Sequence, residues 1–252
     1  MFESLYLNLF VAVSGLYLIL NLGGLVYSKA ILKTIITPTR SPMGFPSHDP
    51  SLFRKHLPLI LLNIGLMIII FPTGLYFLSD WLLEPYQHFG IVIGQLIAIL
   101  LIDDLYFYGF HRLMHKNKFI YDKIHHIHHR AKYPFPSDYL YEHPFEWMLG
   151  AIGSFIAFLI LGGVSLTTIL LFLTIRTLHE LDIHSGIKSS FYRHMPFAGT
   201  NEHHAFHHKY YLVHFASIFS VWDKIFKTDM DTFTTSGRIQ VDALSQASGE
   251  SK

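Results

Sequence analysis

The sequence contains no cysteine. Structural disulfides, thiolate zinc sites and a cysteine-ligated iron–sulfur cluster are therefore excluded within the chain. Charge is also scarce: Asp, Glu, Lys and Arg make up 15% of the 252 residues, where a soluble domain carries about a quarter. A net charge of +1 gives no reason to expect nucleic acid as a partner. The chain shows no glycine-rich nucleotide fingerprint and no haem-binding module. What it has in excess is apolar residues, 51% of the total, and histidine, with 18 copies. Fifteen of those histidines fall between His111 and His214, a bunching that scattered core or surface histidines would not produce.

The apolar residues come in long runs. A hydrocarbon core of ~30 Å needs about 20 helical residues. Residues 4–27 carry no charge and meet that length; without a basic leading region or a small-residue cleavage site they read as a retained helix, not a signal peptide. Residues 28–56 are polar and proline-rich and read as an interfacial loop. Residues 57–78 form a second span, with Pro72 a place for a kink. Residues 89–110 form a third, ending in Asp103, Asp104 and then His111. Two acids near a membrane face are costly unless paired, hydrated or close to metal. Residues 147–178 are too long for one untilted span and short for two. Gly162-Gly163 at their middle predicts a turn between two short or tilted helices. The expected class is an all-α integral membrane protein of four to five transmembrane helices. Its expected units are 1–56 (first helix and loop), 57–230 (a membrane catalytic domain) and 231–252 (a polar tail, expected to be disordered).

Charge placement supports five membrane elements. Lys29, Lys33, Arg40, Arg54 and Lys55 lie in the first loop, and Arg112, Lys116, Lys118, Lys123, Arg130 and Lys132 follow the third span. Arg176 and all later basic residues follow the hairpin, whereas the connection 79–88 has only Asp80 and Glu84. All basic residues then share one side, which the positive-inside rule makes cytoplasmic. Both histidine clusters fall on that side.

The first cluster, HRLMHKNKFIYDKIHHIHH, starts at His111; the second, HHAFHH, starts at His203. His111 and His115 are one helical turn apart. His125, His128 and His129 have i, i+3, i+4 spacing, and His204, His207 and His208 repeat it; each triplet reads as one face. Eight imidazoles suit iron, copper, zinc or nickel and are too many for one ion, so the expected count is two. His184, His179 and Glu180 are candidates for the remaining positions. His143 reads as a metal ligand, as a donor that supports a ligand, or as a helix cap before Pro144. His126 and His203 are expected to point away or to support the ligands. His48, His56, His88 and His194 read as ordinary loop histidines. Metal handling without redox chemistry, that is storage, sensing or transport, is the alternative.

The segments DDLYFYGFHRLMH, KIHHIHH, EHPFE, RTLHELDIHSG, HHAFHH and HFASIFSVWDKIFKTD, in this order over about residues 57–230, resemble the fatty acid hydroxylase superfamily, most of all its sterol C4-methyl oxidase and sterol desaturase branch. The resemblance implies a di-iron centre, O2 as co-substrate and oxidation of an unactivated lipid C–H bond. It carries ligand roles onto His111, His115, His125, His128, His129, His184, His204, His207 and His208, with His179 or Glu180 as a tenth. Two positions depart from the family pattern: Ala205 stands where an Asp is common, and His214 where an Asn is common. Zinc can substitute for iron at imidazole sites. With no electron carrier in the chain, the expected partners are the bilayer, a lipid and an external donor such as cytochrome b5 or a ferredoxin with its reductase. The expected location is a bacterial inner membrane or the endoplasmic reticulum, with the site on the cytoplasmic face.

Overall fold

The structure is a computed structural model that describes residues 2–34, 50–82, 87–188, 192–195 and 197–235. Arg40, His48, Glu84 and the tail from residue 236 lie outside the described residues. Among the described residues there are no strands, only one isolated antiparallel bridge, Ala198 to Phe219. The helices are α1 (Phe2–Thr34), α2 (Pro50–Phe77), α3 (Ser79–Leu82), α4 (Phe89–Lys116), α5 (Lys118–Lys123), α6 (Pro144–Gly150), α7 (Ile152–Ile160), α8 (Leu166–Ile183), α9 (Asn201–Tyr210), α10 (Val221–Ile225) and α11 (Met230–Thr235). Three of them, α1, α2 and α4, are long and apolar enough to cross a membrane, and Pro144–Ile160 is a shorter apolar stretch. The molecule is an all-α membrane protein.

The hairpin turn falls where the two glycines predict it. Gly162 has φ +69° and Gly163 φ +107°, conformations that a Cβ would oppose. Ser165 then caps α8 by accepting from the Thr168 amide. Two boundaries differ from the sequence reading. Helices α1 and α2 take in residues 28–34 and 50–56, because these segments are docked and not free: Ser28 Oγ donates to Gly24 O at 2.8 Å and meets Ser137 Oγ at 2.7 Å. Helix α4 does not stop at the apolar limit but runs on to Lys116, carrying His111 and His115 on one continuous rod.

Proline is accommodated inside α2. Pro72 has no N–H for the carbonyl of Ile68, and Ser14 Oγ on α1 donates to that carbonyl instead, at 2.7 Å. Helix α1 packs on α2 and α8, and α4 on α7 and α8. Leu9, Val13, Phe71, Leu75, Ile99 and Phe158 are among the buried residues of the core between them.

The connection 131–143 is held to the membrane helices by buried polar contacts. Asn63 of α2 donates to the carbonyls of Leu140 and Glu142, both at 2.9 Å, and accepts from Trp147 Nε1 at 3.0 Å. Tyr139 donates to Asn21 Oδ1 of α1. His56 is not a loop residue: it sits on α2, 4% exposed, 2.7 Å from Asp138 and stacked on Tyr141.

The two acids of α4 face different partners. Asp104 accepts from the amides of Ile218 and Phe219, each at 2.8 Å, and so ties the segment after α9 to the middle of the bundle. Asp103 lies 3.2 Å from Arg176 of α8. Gly199 donates to Ile218 O at 2.7 Å, and a Cβ at that position would lie 1.7 Å from Ser217 O. Only glycine permits that crossing of backbones.

Candidate metal centre

Four elements bring imidazoles to one place: the end of α4, the 3-10 turn His125–Arg130, the C-cap of α8 at His184, and α9. They form two buried groups in which all ligand atoms lie within 4.8 Å of one another. One is His111, His115, His125, His129 and His207; the other is His128, His184, His204 and His208. His128 also groups with Glu142 and Glu146 under the same limit.

The ring orientations define what these groups can do. His111 Nδ1 faces Phe215 O at 2.8 Å, His207 Nδ1 faces Val213 O at 2.8 Å and His184 Nδ1 faces Glu180 O at 2.8 Å. A carbonyl only accepts, so each Nδ1 carries the proton, and the neutral ring presents a bare Nε2 lone pair. His125 Nδ1 lies 2.7 Å from Glu146 Oε1. The Nε2 atoms then crowd together. His125 Nε2 lies 3.2 Å from that of His111, 2.8 Å from that of His115 and 2.9 Å from that of His129. In the second group His204 Nε2 lies 2.9 Å from the Nε2 atoms of both His184 and His208, and His184 Nε2 lies 3.4 Å from that of His128.

One ring nitrogen cannot make three hydrogen bonds, and His207 Nε2 is buried with none. A cation resolves the conflict. Two nitrogens at about 2.1 Å from one ion are about 3.0 Å apart at a right angle and about 3.4 Å apart at the tetrahedral angle, matching the observed spacing. Acceptors behind Nδ1 are the usual partners of metal-bound histidine. The donor set therefore fits two metal ions held mainly by imidazole. Burial, and then the charge that neighbouring imidazoles would carry, hold His125, His128, His129, His204, His207 and His208 well below the ordinary histidine range. The ligands thus stay neutral and metal-competent near neutral pH.

Neither triplet serves a single group. Each i, i+4 pair serves one group: His111 with His115, His125 with His129, His204 with His208. Each i+3 member crosses to the other group, His128 to the second and His207 to the first. The repeated HxxHH spacing thus links the two imidazole groups, once from the 3-10 turn and once from α9.

His179 is not brought into either group. Its Nε2 meets Ser217 O at 3.0 Å, and its ring lies against Tyr192. Glu180 also stays outside, accepting from Ser217 Oγ at 2.8 Å and from Arg176, while its carbonyl orients His184. His143 is the N-cap of α6 and accepts from the Phe145 amide at 3.2 Å. His126 meets Arg130 at 2.9 Å, and His203 stacks on His214 with ring centres 4.8 Å apart. The sequence reading passed over the backbone acceptors of Val213 and Phe215, which no residue type can signal. It also passed over the contact of Glu146 with His125, for which EHPFE is the legible trace.

A cavity of about 120 Å³ opens from the centre into the helix bundle. Its metal end includes His111, His128 and His184; its inner end includes Tyr17, Phe71 and Phe172.

A helical membrane scaffold presenting two clustered imidazole sites defines the class of membrane-embedded di-metal histidine proteins. Comparison with known proteins narrows it. The fatty acid hydroxylase family model matches residues 96–228, and the chain belongs to that family. It is 32% identical to methylsterol monooxygenase 1 of Rattus norvegicus, over 62% of this chain and 55% of that protein. It is 33% identical to sphinganine C4-monooxygenase 1 of Arabidopsis thaliana, over 60% of this chain and 61% of that protein. A more distant likeness, 28% over 68% of this chain and 65% of the relative, is to the very-long-chain aldehyde decarbonylase GL1-11 of Oryza sativa subsp. indica. The chain thus spans little more than half the length of the first two. No solved structure matches it.

Proposed function

We propose that the protein is a di-iron, O2-dependent lipid oxidoreductase that hydroxylates or desaturates a sterol, fatty acyl or related lipid. The observation that carries this reading is the junction of two imidazole clusters with a cavity leading into the apolar bundle. Its named relatives are monooxygenases, one of methylsterol and one of sphinganine.

His111, His115, His125, His129 and His207 would hold one iron, and His128, His184, His204 and His208 the other. Bound there, two irons would supply the redox chemistry that activates O2 for oxidation of an unactivated C–H bond, with electrons drawn from the external donor. The chain's own contribution is geometric. Glu146 and the carbonyls of Glu180, Val213 and Phe215 fix the ring tautomers. The packing of α4, α8 and α9 excludes water. The cavity admits a lipid from the bilayer side and sets which carbon faces the centre. Electrons come from a separate protein, a cytochrome b5 or a ferredoxin with its reductase, at the cytoplasmic face of an inner membrane or the endoplasmic reticulum.

The test is metal content on detergent-purified protein grown with iron supplied and zinc limited. Two irons per chain are expected, lost in the double variant His128→Ala, His207→Ala, together with O2 uptake in the presence of lipid and reductant. Tight zinc or nickel, no iron and no O2 uptake would instead favour metal handling, read by metal movement across vesicles.

A further inference from the structure

The inner half of the cavity is not purely apolar, and its polar groups are left incomplete. Arg176 of α8 is buried in the hairpin yet 19% of its side chain is exposed, and it lines the cavity. Its Nη1 donates to Glu180 and, at 3.1 Å, to Ser217 Oγ. Its Nε lies 3.2 Å from Asp103 Oδ2. Its Nη2 makes no hydrogen bond among the described residues. Asp103 Oδ2 is buried and makes no hydrogen bond either, the approach of Nε being out of line. Tyr17 of α1 lines the same space at 4% exposure, and its hydroxyl also has no hydrogen-bond partner among the described residues. Two donors and an acceptor, from three helices, thus share one buried space. Buried polar groups are ordinarily paired, and exceptions point to something that completes them.

The position is regular as well. Asp103 precedes His111, and Arg176 precedes His184, by eight residues, two helical turns or about 12 Å of rise. Both helices therefore carry a metal ligand at the membrane face and a charged group two turns further in.

We infer that Tyr17, Arg176 and Asp103 form a second subsite, which holds a hydroxyl group of the lipid substrate. This rests on the lipid-oxidising reading of the metal centre and narrows its substrate class to neutral hydroxylated lipids. A hydroxyl both donates and accepts: it gives its proton to Asp103 Oδ2 and accepts from Arg176 Nη2 and the Tyr17 phenol. A hydrocarbon completes none of the three. A carboxylate would face Asp103 and Glu180, two acids against one guanidinium, where charge is little screened.

The test is equilibrium binding of radiolabelled octadecanol, octadecane and octadecanoate to the full chain in detergent, with metal content measured on the same sample. Octadecanol is expected to bind about tenfold more tightly than octadecane, one hydrogen bond in a buried site, and more tightly than octadecanoate. Tyr17→Phe, which removes no contact among the described residues, should narrow the alcohol-to-alkane ratio several-fold and leave octadecane binding unchanged. Arg176→Gln should abolish the preference. Equal binding of alcohol and alkane, binding of neither, or an unchanged ratio in Tyr17→Phe would overturn the subsite. Preference for octadecanoate would overturn the substrate class. Binding requires neither O2 nor reductant, so these outcomes are separate from failure of the oxygenase reading, which is read by O2 uptake.

Discussion

At the scale of single residues, the centre depends as much on what stands behind the imidazoles as on the imidazoles themselves. Glu146 lies 2.7 Å from His125 Nδ1. Glu146→Gln leaves the shape in place but exchanges a carboxyl oxygen for an amide. Metal affinity is expected to drop about 10- to 100-fold, measured as the chelator concentration that strips half the metal. Protons should do the same from the other side. Six ligands outside the spans have pKa values held well below 6.5 by burial. The unfolded chain takes up their protons as pH falls through 6.5, and the native site does not. Stability is therefore lost as pH falls below 6.5. Asp138 and Asp223, raised by burial to about 6, and Glu142 and Glu146, raised well above the usual carboxylate range by burial, act oppositely, since the native state takes up their protons first. The imidazoles are more numerous. Thermal melts of the metal-free protein are expected to fall from pH 7 to pH 5; a flat profile would count against this burial.

At the scale of elements, the sequence announced the helices better than their ends or their form. The apolar runs gave the three long helices, and Gly162-Gly163 gave the hairpin turn, because both signals are local. The reach of α1 past residue 27 was hidden: Ser28 belongs to the helix only because Ser137, over a hundred residues away, meets its hydroxyl. Candidate ligands were legible as a set, while their division between two groups was not. That division depends on how α4, the 3-10 turn, α8 and α9 converge. His179 shows the limit of motif reasoning, since helix phase turns it toward Ser217. The α1–α2 pair carries its own test. Ser14→Ala leaves the Ile68 carbonyl unmet in an apolar setting beside Pro72. A loss of about 1–3 kcal/mol is expected, read as a lower midpoint in detergent denaturation, whereas Ser→Ala at an exposed position should move it little.

At the scale of the whole molecule, the centre gathers four elements at one end of the bundle. Helices α8 and α9 meet around it, and imidazoles of the 3-10 turn reach the groups that both supply. Removing metal from the intact protein should therefore loosen the polar cap far more than the bundle. Limited proteolysis after chelation is expected to cut between residues 185 and 235 while α1, α2 and α4 stay protected, and re-added iron should restore resistance. Cutting within the long helices would show that the bundle itself rests on the metal.

The order of the ligands along the chain also bears on how the protein is made. The first metal group lacks His207 and the second lacks His204 and His208 until α9 exists. A ribosome that has delivered all three long helices to the membrane has still produced neither site in complete form. Insertion and metallation are consequently successive events, and the nascent chain waits with bare imidazoles. A cell short of the metal would accumulate fully inserted but unclosed copies, and the supply of metal, more than the rate of synthesis, would set how many become finished protein.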